Sequence, residues 1–102
     1  MMTSGQYPIP HPQAAARVID GEAVVVLAES GEVQVLNAVG SRIWELMDGR
    51  RSAAAIAAAI ADEFDVSPED ASADTAEFLG QLVEERAVVL RDCPAADQRP
   101  PE

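Results

Sequence analysis

The chain has 102 residues, enough for one small domain. Hydrophobic residues make up 48% and aromatics only 4%, so Val, Ile, Leu and Ala must build the core. Eighteen acids against seven bases, all of them arginine, leave a net charge of -11. That balance argues against a phosphate backbone or an anionic membrane as partner and favours a basic or neutral one.

Residues 1–13, "MMTSGQYPIPHPQ", hold Pro8, Pro10 and Pro12 with little apolar periodicity. They read as an extended, mobile arm, and they lack the basic-then-apolar order of a secretory signal. Three short β-branched runs follow: "ARVI", "AVVVLA" and "EVQVL". Asp20-Gly21 and Ser30-Gly31 separate them, and Asp-Gly is a strong tight-turn signal. The reading is an antiparallel meander. Its middle strand (23–28) is nearly all apolar, and its last (32–36) alternates with Val33 and Val35 on one face.

The period then becomes helical. Asn37 can cap a helix whose stripe is Val39, Ile43, Leu46 and Met47, with Trp44 beside it and Asp48-Gly49 at its end. Ser52 caps a second helix with Ile56, Ile60 and Phe64 at i, i+4, i+8. Ser67 caps a third, with Pro68 at the first helical position and Glu69 and Asp70 at its positive end. Ala71, Thr75, Phe78, Leu79, Leu82 and Val83 form its buried face. Residues 88–90 are a short apolar finish folded back on the core, and 92–102 read as a second flexible tail. The order is β-β-β-α-α-α, an α+β domain over 14–91.

No catalytic residue emerges. His11 is the only histidine, with no second metal ligand near it. Cys93 is the only cysteine and sits in a Pro-flanked tail, so no internal disulfide forms, which fits a reducing cytoplasm. The carboxylates Asp62, Glu63, Asp65, Glu69, Asp70 and Asp74 lie at helix ends and on polar faces, where they read as solvated surface. There is no calcium-loop spacing, GxGxxG or P-loop, and no Asp-Ser-Leu attachment motif of an acyl carrier protein. No run approaches a membrane span. Catalytic, metal and cofactor assignments are therefore none.

The meander leaves strand 32–36 on an edge, with Glu32 and Gln34 but no Lys or Pro to blunt it. Two readings compete: the edge is covered by the third helix or a tail, or an incoming peptide adds to it as a further strand. The outer face of the third helix, with Asp74, Glu77, Gln81 and Glu84, would suit a basic or polar peptide.

The span from "DGEAVVVLAESGEVQVLNAVGSRIWELMDG" to "IAAAIADEFDVSPEDASADTAEFLGQLVEERAVV" resembles the PqqD family, the precursor-peptide recognition elements of ribosomally made, modified peptides (RiPPs). The most telling piece is "LNAVGSRIWELMDG". One departure stands out: the family often has a Gly before its closing apolar pair, where this chain has Arg86-Ala87. The resemblance implies a winged-helix-like fold of three strands and three helices. It implies a non-catalytic, cofactor-free peptide chaperone that binds the leader of a precursor peptide and presents it to a separate modifying enzyme, often a radical SAM enzyme. Carried over by position, the peptide site is Val33, Gln34, Val35 and Leu36 on the strand and Asp74, Glu77, Phe78 and Gln81 on the third helix. Phe78 reads equally as core. Asn37, Gly40 and Ile43 are assigned to structure, and Trp44 to packing or, if exposed, to enzyme docking.

Two other classes compete. One is an adaptor docking a folded protein through the same edge, which sequence does not separate from a peptide chaperone. The other is a nucleic-acid-binding winged helix, which charge opposes: from Asp62 to Glu85 there are nine acids and no base. An open edge also permits strand-swapped homodimers.

Overall fold

The computed structural model describes residues 5–93. Five strands and three helices follow in the order β1 (Tyr7–Pro10), β2 (Ala14–Ile19), β3 (Glu22–Leu27), β4 (Glu32–Val35), α1 (Ala38–Leu46), α2 (Ala53–Phe64), α3 (Pro68–Glu84) and β5 (Val88–Arg91). The meander β2-β3-β4 and the three helices are those the sequence implies, giving an α+β, winged-helix-like arrangement. Asp20 and Gly21 both take positive φ (54° and 81°), the geometry of a tight turn matched to strand twist. Asn37, Ser52 and Ser67 accept bonds from the N–H groups of Gly40, Ala55 and Asp70, so all three expected caps form.

The core lies between one face of the meander and the helices. β3 supplies Ala23, Val25 and Leu27, α1 supplies Ile43, Trp44 and Leu46, α2 supplies Ile56 and Ile60, and α3 supplies Leu79 and Leu82, all buried. Trp44 packs inside and is not a surface docking spot. Phe78 and Val83 are half-buried at the margin.

Ser41 on α1 joins helix to sheet. Leu36 donates its N–H to the Ala23 carbonyl at 2.8 Å. The return bond of that pair is replaced by a hydroxyl bridge: the Ala23 N–H donates to Ser41 Oγ at 2.7 Å, and Ser41 Oγ donates to the Leu36 carbonyl at 3.1 Å. The β3–β4 ladder ends at that bridge and the chain turns into α1.

The N-terminal arm needs correction. Residues 7–10, expected as part of a mobile arm, form β1 and pair antiparallel with β5 in a separate two-stranded sheet. Pro8 is buried, Gln6 accepts a bond from the Ala53 N–H at 2.8 Å, and His11 donates its N–H to the Ala87 carbonyl at 2.8 Å. The His11–Ala87 bond sets the alternation of the ladder, placing Pro8 and Pro10 at non-hydrogen-bonded positions. Prolines two residues apart thus lack N–H groups only on the outer edge. The same feature that reads as disorder makes a one-sided strand that nothing can extend. Residues 88–90, expected to fold back on the core, do so as β5. Of the expected C-terminal tail, 94–102 lie outside the described residues.

Arg86 takes φ 62°, a left-handed conformation that costs a non-glycine side chain about 1–2 kcal/mol. A glycine at this step would carry no such cost. Here the side chain is tied down: its guanidinium grips Glu29 through two bonds (2.8 and 3.3 Å), and its carbonyl accepts from Gln13 Nε2 at 2.8 Å. The hydrogen bond from Arg86 holds the Glu29 carboxyl below its ordinary range, as Arg42 does for Glu63 in a bridge between α1 and α2.

Two buried hydroxyls lead to opposite expectations. Ser41→Ala strands the Ala23 N–H and the Leu36 carbonyl, each worth about 1–3 kcal/mol when left unpaired, so denaturant unfolding should show a loss of about 2 kcal/mol or more. Thr75 Oγ1 is buried with no hydrogen-bond partner, so Thr75→Val should raise stability by about 1 kcal/mol. Because the Glu29 and Glu63 pKa values are lowered on folding, their contribution is present above the ordinary Glu range of about 4.3 and lost as pH falls below it. A melting curve series should be flat near neutrality and fall in acid, with a shallower fall in the Glu29→Gln/Glu63→Gln double variant.

Candidate peptide-binding groove

β4 pairs only with β3 among the described strands, so its far side is an open edge. The Leu36–Ala23 bond fixes which groups face out. Leu36, Gln34 and Glu32 are the hydrogen-bonding partners of Ala23, Val25 and Leu27, so the N–H and C=O groups of Val33 and Val35 point to the open edge. Their side chains stand on the sheet face away from the core, 60% and 62% exposed. Gln34, half-buried on the opposite face, donates through Nε2 to Glu85 Oε1 just past the end of α3. Leu36 is buried.

Beside the end of β4 a groove of about 330 Å³ opens between α1 and α3. Asn37, Val39, Gly40 and Ile43 form one wall, and Asp74, Glu77, Phe78 and Gln81 form the other. The floor is apolar and the α3 rim is acidic. Among the described residues neither Asp74 nor Glu77 is in an ion pair. Gly40 permits the closeness of the walls: a Cβ there would lie 3.1 Å from Phe78 Cε1 and Cζ and 3.2 Å from Asn37 Oδ1. Phe78 is thus both margin of the core and wall of the groove.

The eight residues named from sequence divide cleanly. The four on α3 line this groove together; Val33, Gln34 and Val35 on β4 and Leu36 just past its end lie beside it and do not line it, and of these only Val33 and Val35 turn their backbone groups to the open edge. The α1 wall was assigned to structure alone. Its residues carry an apolar helical spacing that marks core equally well, so the only sequence sign of that wall is the small residue Gly40, which the structure sets against the Phe78 ring.

No helix among the described residues is long and apolar enough to cross a membrane, and no group of three or more His, Cys, Asp or Glu there could hold a metal ion.

The family described as coenzyme PQQ synthesis protein D (PqqD) matches residues 22–88, which span β3 through the start of β5. The chain belongs to the PqqD family. Two solved structures are similar. One, "TbiB1 in complex with the TbiA(beta) leader peptide", is 29% identical with a TM-score of 0.73 over 78% of this chain and 93% of that one. The other, "lasso peptide synthetase B1 complexed with the leader peptide", is 27% identical with a TM-score of 0.72 over 81% and 98%. No curated protein matches the chain.

Gly40→Ala sets a helix gain of about 1 kcal/mol against an overpacking cost of about 1–3 kcal/mol. The expected result is a small net loss in thermal unfolding, with the Phe78 ring resonances displaced. A clear stability gain with an unmoved ring would show that the walls are not in tight contact.

Proposed function

We propose that this chain is a non-catalytic recognition module that binds the leader segment of a ribosomally made precursor peptide and holds it for a separate modifying enzyme, of the radical SAM class or another. The carrying observation is the shared fold: two proteins bound to leader peptides match it over nearly their whole length. The geometry of β4 agrees. An extended peptide alongside it would bond to the outward N–H and C=O groups of Val33 and Val35, which cost no internal ladder bond. Every second peptide side chain would face the α3 side, towards Gln34, Leu36 and the groove of Asp74, Glu77, Phe78 and Gln81. The acidic rim favours a cation on that face of the peptide. Such a pairing also fits an edge that carries no proline, whereas β1 is closed by Pro8 and Pro10. The domain responsible is residues 14–91 with β1 strapped against its end, working in the cytoplasm.

A nucleic-acid role is not favoured. The exposed side of α3 presents Glu69, Asp70, Asp74, Glu77 and Glu84, the wrong sign for a helix entering a groove of DNA.

The test is an isotope-labelled NMR titration with the leader of the precursor peptide encoded beside this gene. Shifts should concentrate on residues 32–36 and on Asp74–Gln81. Val35→Pro removes an outward N–H without touching the ladder, so binding should weaken about tenfold, near the worth of one hydrogen bond, while the melting point moves little. Gln34→Pro removes a ladder bond and should cost the fold itself. If Val35→Pro binds as wild type, the peptide does not add to β4.

A further inference from the structure

Of the six large hydrophobic side chains exposed in the described chain, five lie on the three-stranded sheet: Val18, Ile19, Val26, Val33 and Val35. All but Val18 stand on the outer face, opposite the core. The strand register aligns them in cross-strand rows, Ala15·Val26·Val33 and Arg17·Val24·Val35, with Ile19 beside Glu22 at the end. Among the described residues, Val26, Val33, Val35 and Ile19 are 40–62% exposed, so no helix there covers them. A monomer gains nothing from such a concentration, and natural surfaces that carry one are usually contact surfaces.

We infer that this outer sheet face is a self-association surface, on which a second copy of the chain packs face to face about a two-fold axis. Charge selects the occupant. Almost any other surface would set carboxylates of two copies against one another, because the chain carries -11 and the stretch from Asp62 to Glu85 holds nine acids and no base. The outer sheet face holds one cation, Arg17, and one anion, Glu22, and sums to zero. Neither is in an ion pair within the chain among the described residues. A self-complementary contact in which Arg17 of each copy meets Glu22 of the other satisfies both, and the valines close between them. The packing leaves the open edge of β4 free on each copy, so the dimer retains two peptide edges. Strands of four to six residues make a small face, below the roughly 800 Å² per partner of a standard interface, so the association is weak.

Sedimentation equilibrium on the full chain tests this without any partner. From about 10 µM to about 1 mM, the span in which a weak association populates its dimer, the mean mass should climb from 10.8 kDa towards twice that value. Val33→Thr/Val35→Thr keeps strand-forming side chains at exposed positions and should hold the protein monomeric at an unchanged melting point. Arg17→Glu and Glu22→Arg should each weaken association several-fold, and the double exchange should restore it. Ala16→Pro removes an N–H on the outer edge of β2 and should leave the dimer intact. A mass fixed at 10.8 kDa throughout overturns the inference and leaves the face to a different protein. Loss of the dimer in Ala16→Pro, or its persistence in the double threonine variant, also overturns it, because the copies would then join by strand edges.

Discussion

The Ser41 hydroxyl holds the architecture in register. Without it, the buried Ala23 N–H and Leu36 carbonyl would be left without a partner at the point where β4 gives way to α1. By bridging the two, Ser41 ends the ladder, satisfies both buried backbone groups and brings α1 against the sheet. The Asn37 cap and the Gly40 contact with Phe78 follow within one helical turn. The groove is therefore a by-product of where a ladder stops. A one-residue slip in the register of β4 against β3 would turn Val33 and Val35 into the core and Gln34 out of it.

Edges in this fold are managed by parity. In an antiparallel strand only every second residue uses its backbone on a given side. Pro8 and Pro10 fall on the side of β1 that faces away from β5, so the ladder is untouched and the edge is closed. Val33 and Val35 fall on the side of β4 that faces away from β3, and there the backbone is left competent. The two strands differ in which residue type occupies the outward positions, and that choice decides which edge can accept a partner.

Much of this was legible in the chain because its signals are local. Asp20-Gly21 needs only its own dihedrals, and Asn37, Ser52 and Ser67 cap helices that begin one residue later. The pairing of β1 with β5 was not legible, because Tyr7 meets Arg91 from opposite ends of the chain and nothing near either residue announces the other. Alternating prolines carried the information, but the same composition describes an unfolded arm. At the groove, the α3 wall was readable because acids and a glutamine mark its outer side. The α1 wall was not, since Val39 and Ile43 have core chemistry and core spacing; only the packing of Gly40 against Phe78 shows that the stripe also borders solvent.

The Arg86 step shows how a local departure can be absorbed. A left-handed residue just past a helix end is where glycine is cheapest, and an arginine there loses backbone freedom and gains strain. It also gains reach. The Arg86 guanidinium crosses to Glu29 in the turn between β3 and β4, and Gln13 bonds both the Arg86 carbonyl and the Glu29 N–H. Three segments far apart in sequence are clamped at one corner, next to the Gln34–Glu85 contact that fixes β4 over the end of α3. A glycine would relax the backbone but leave that corner without its cation. In a chain this acidic, a cation that draws a carboxylate across a turn relieves repulsion, so the strain of a left-handed arginine is offset where it occurs.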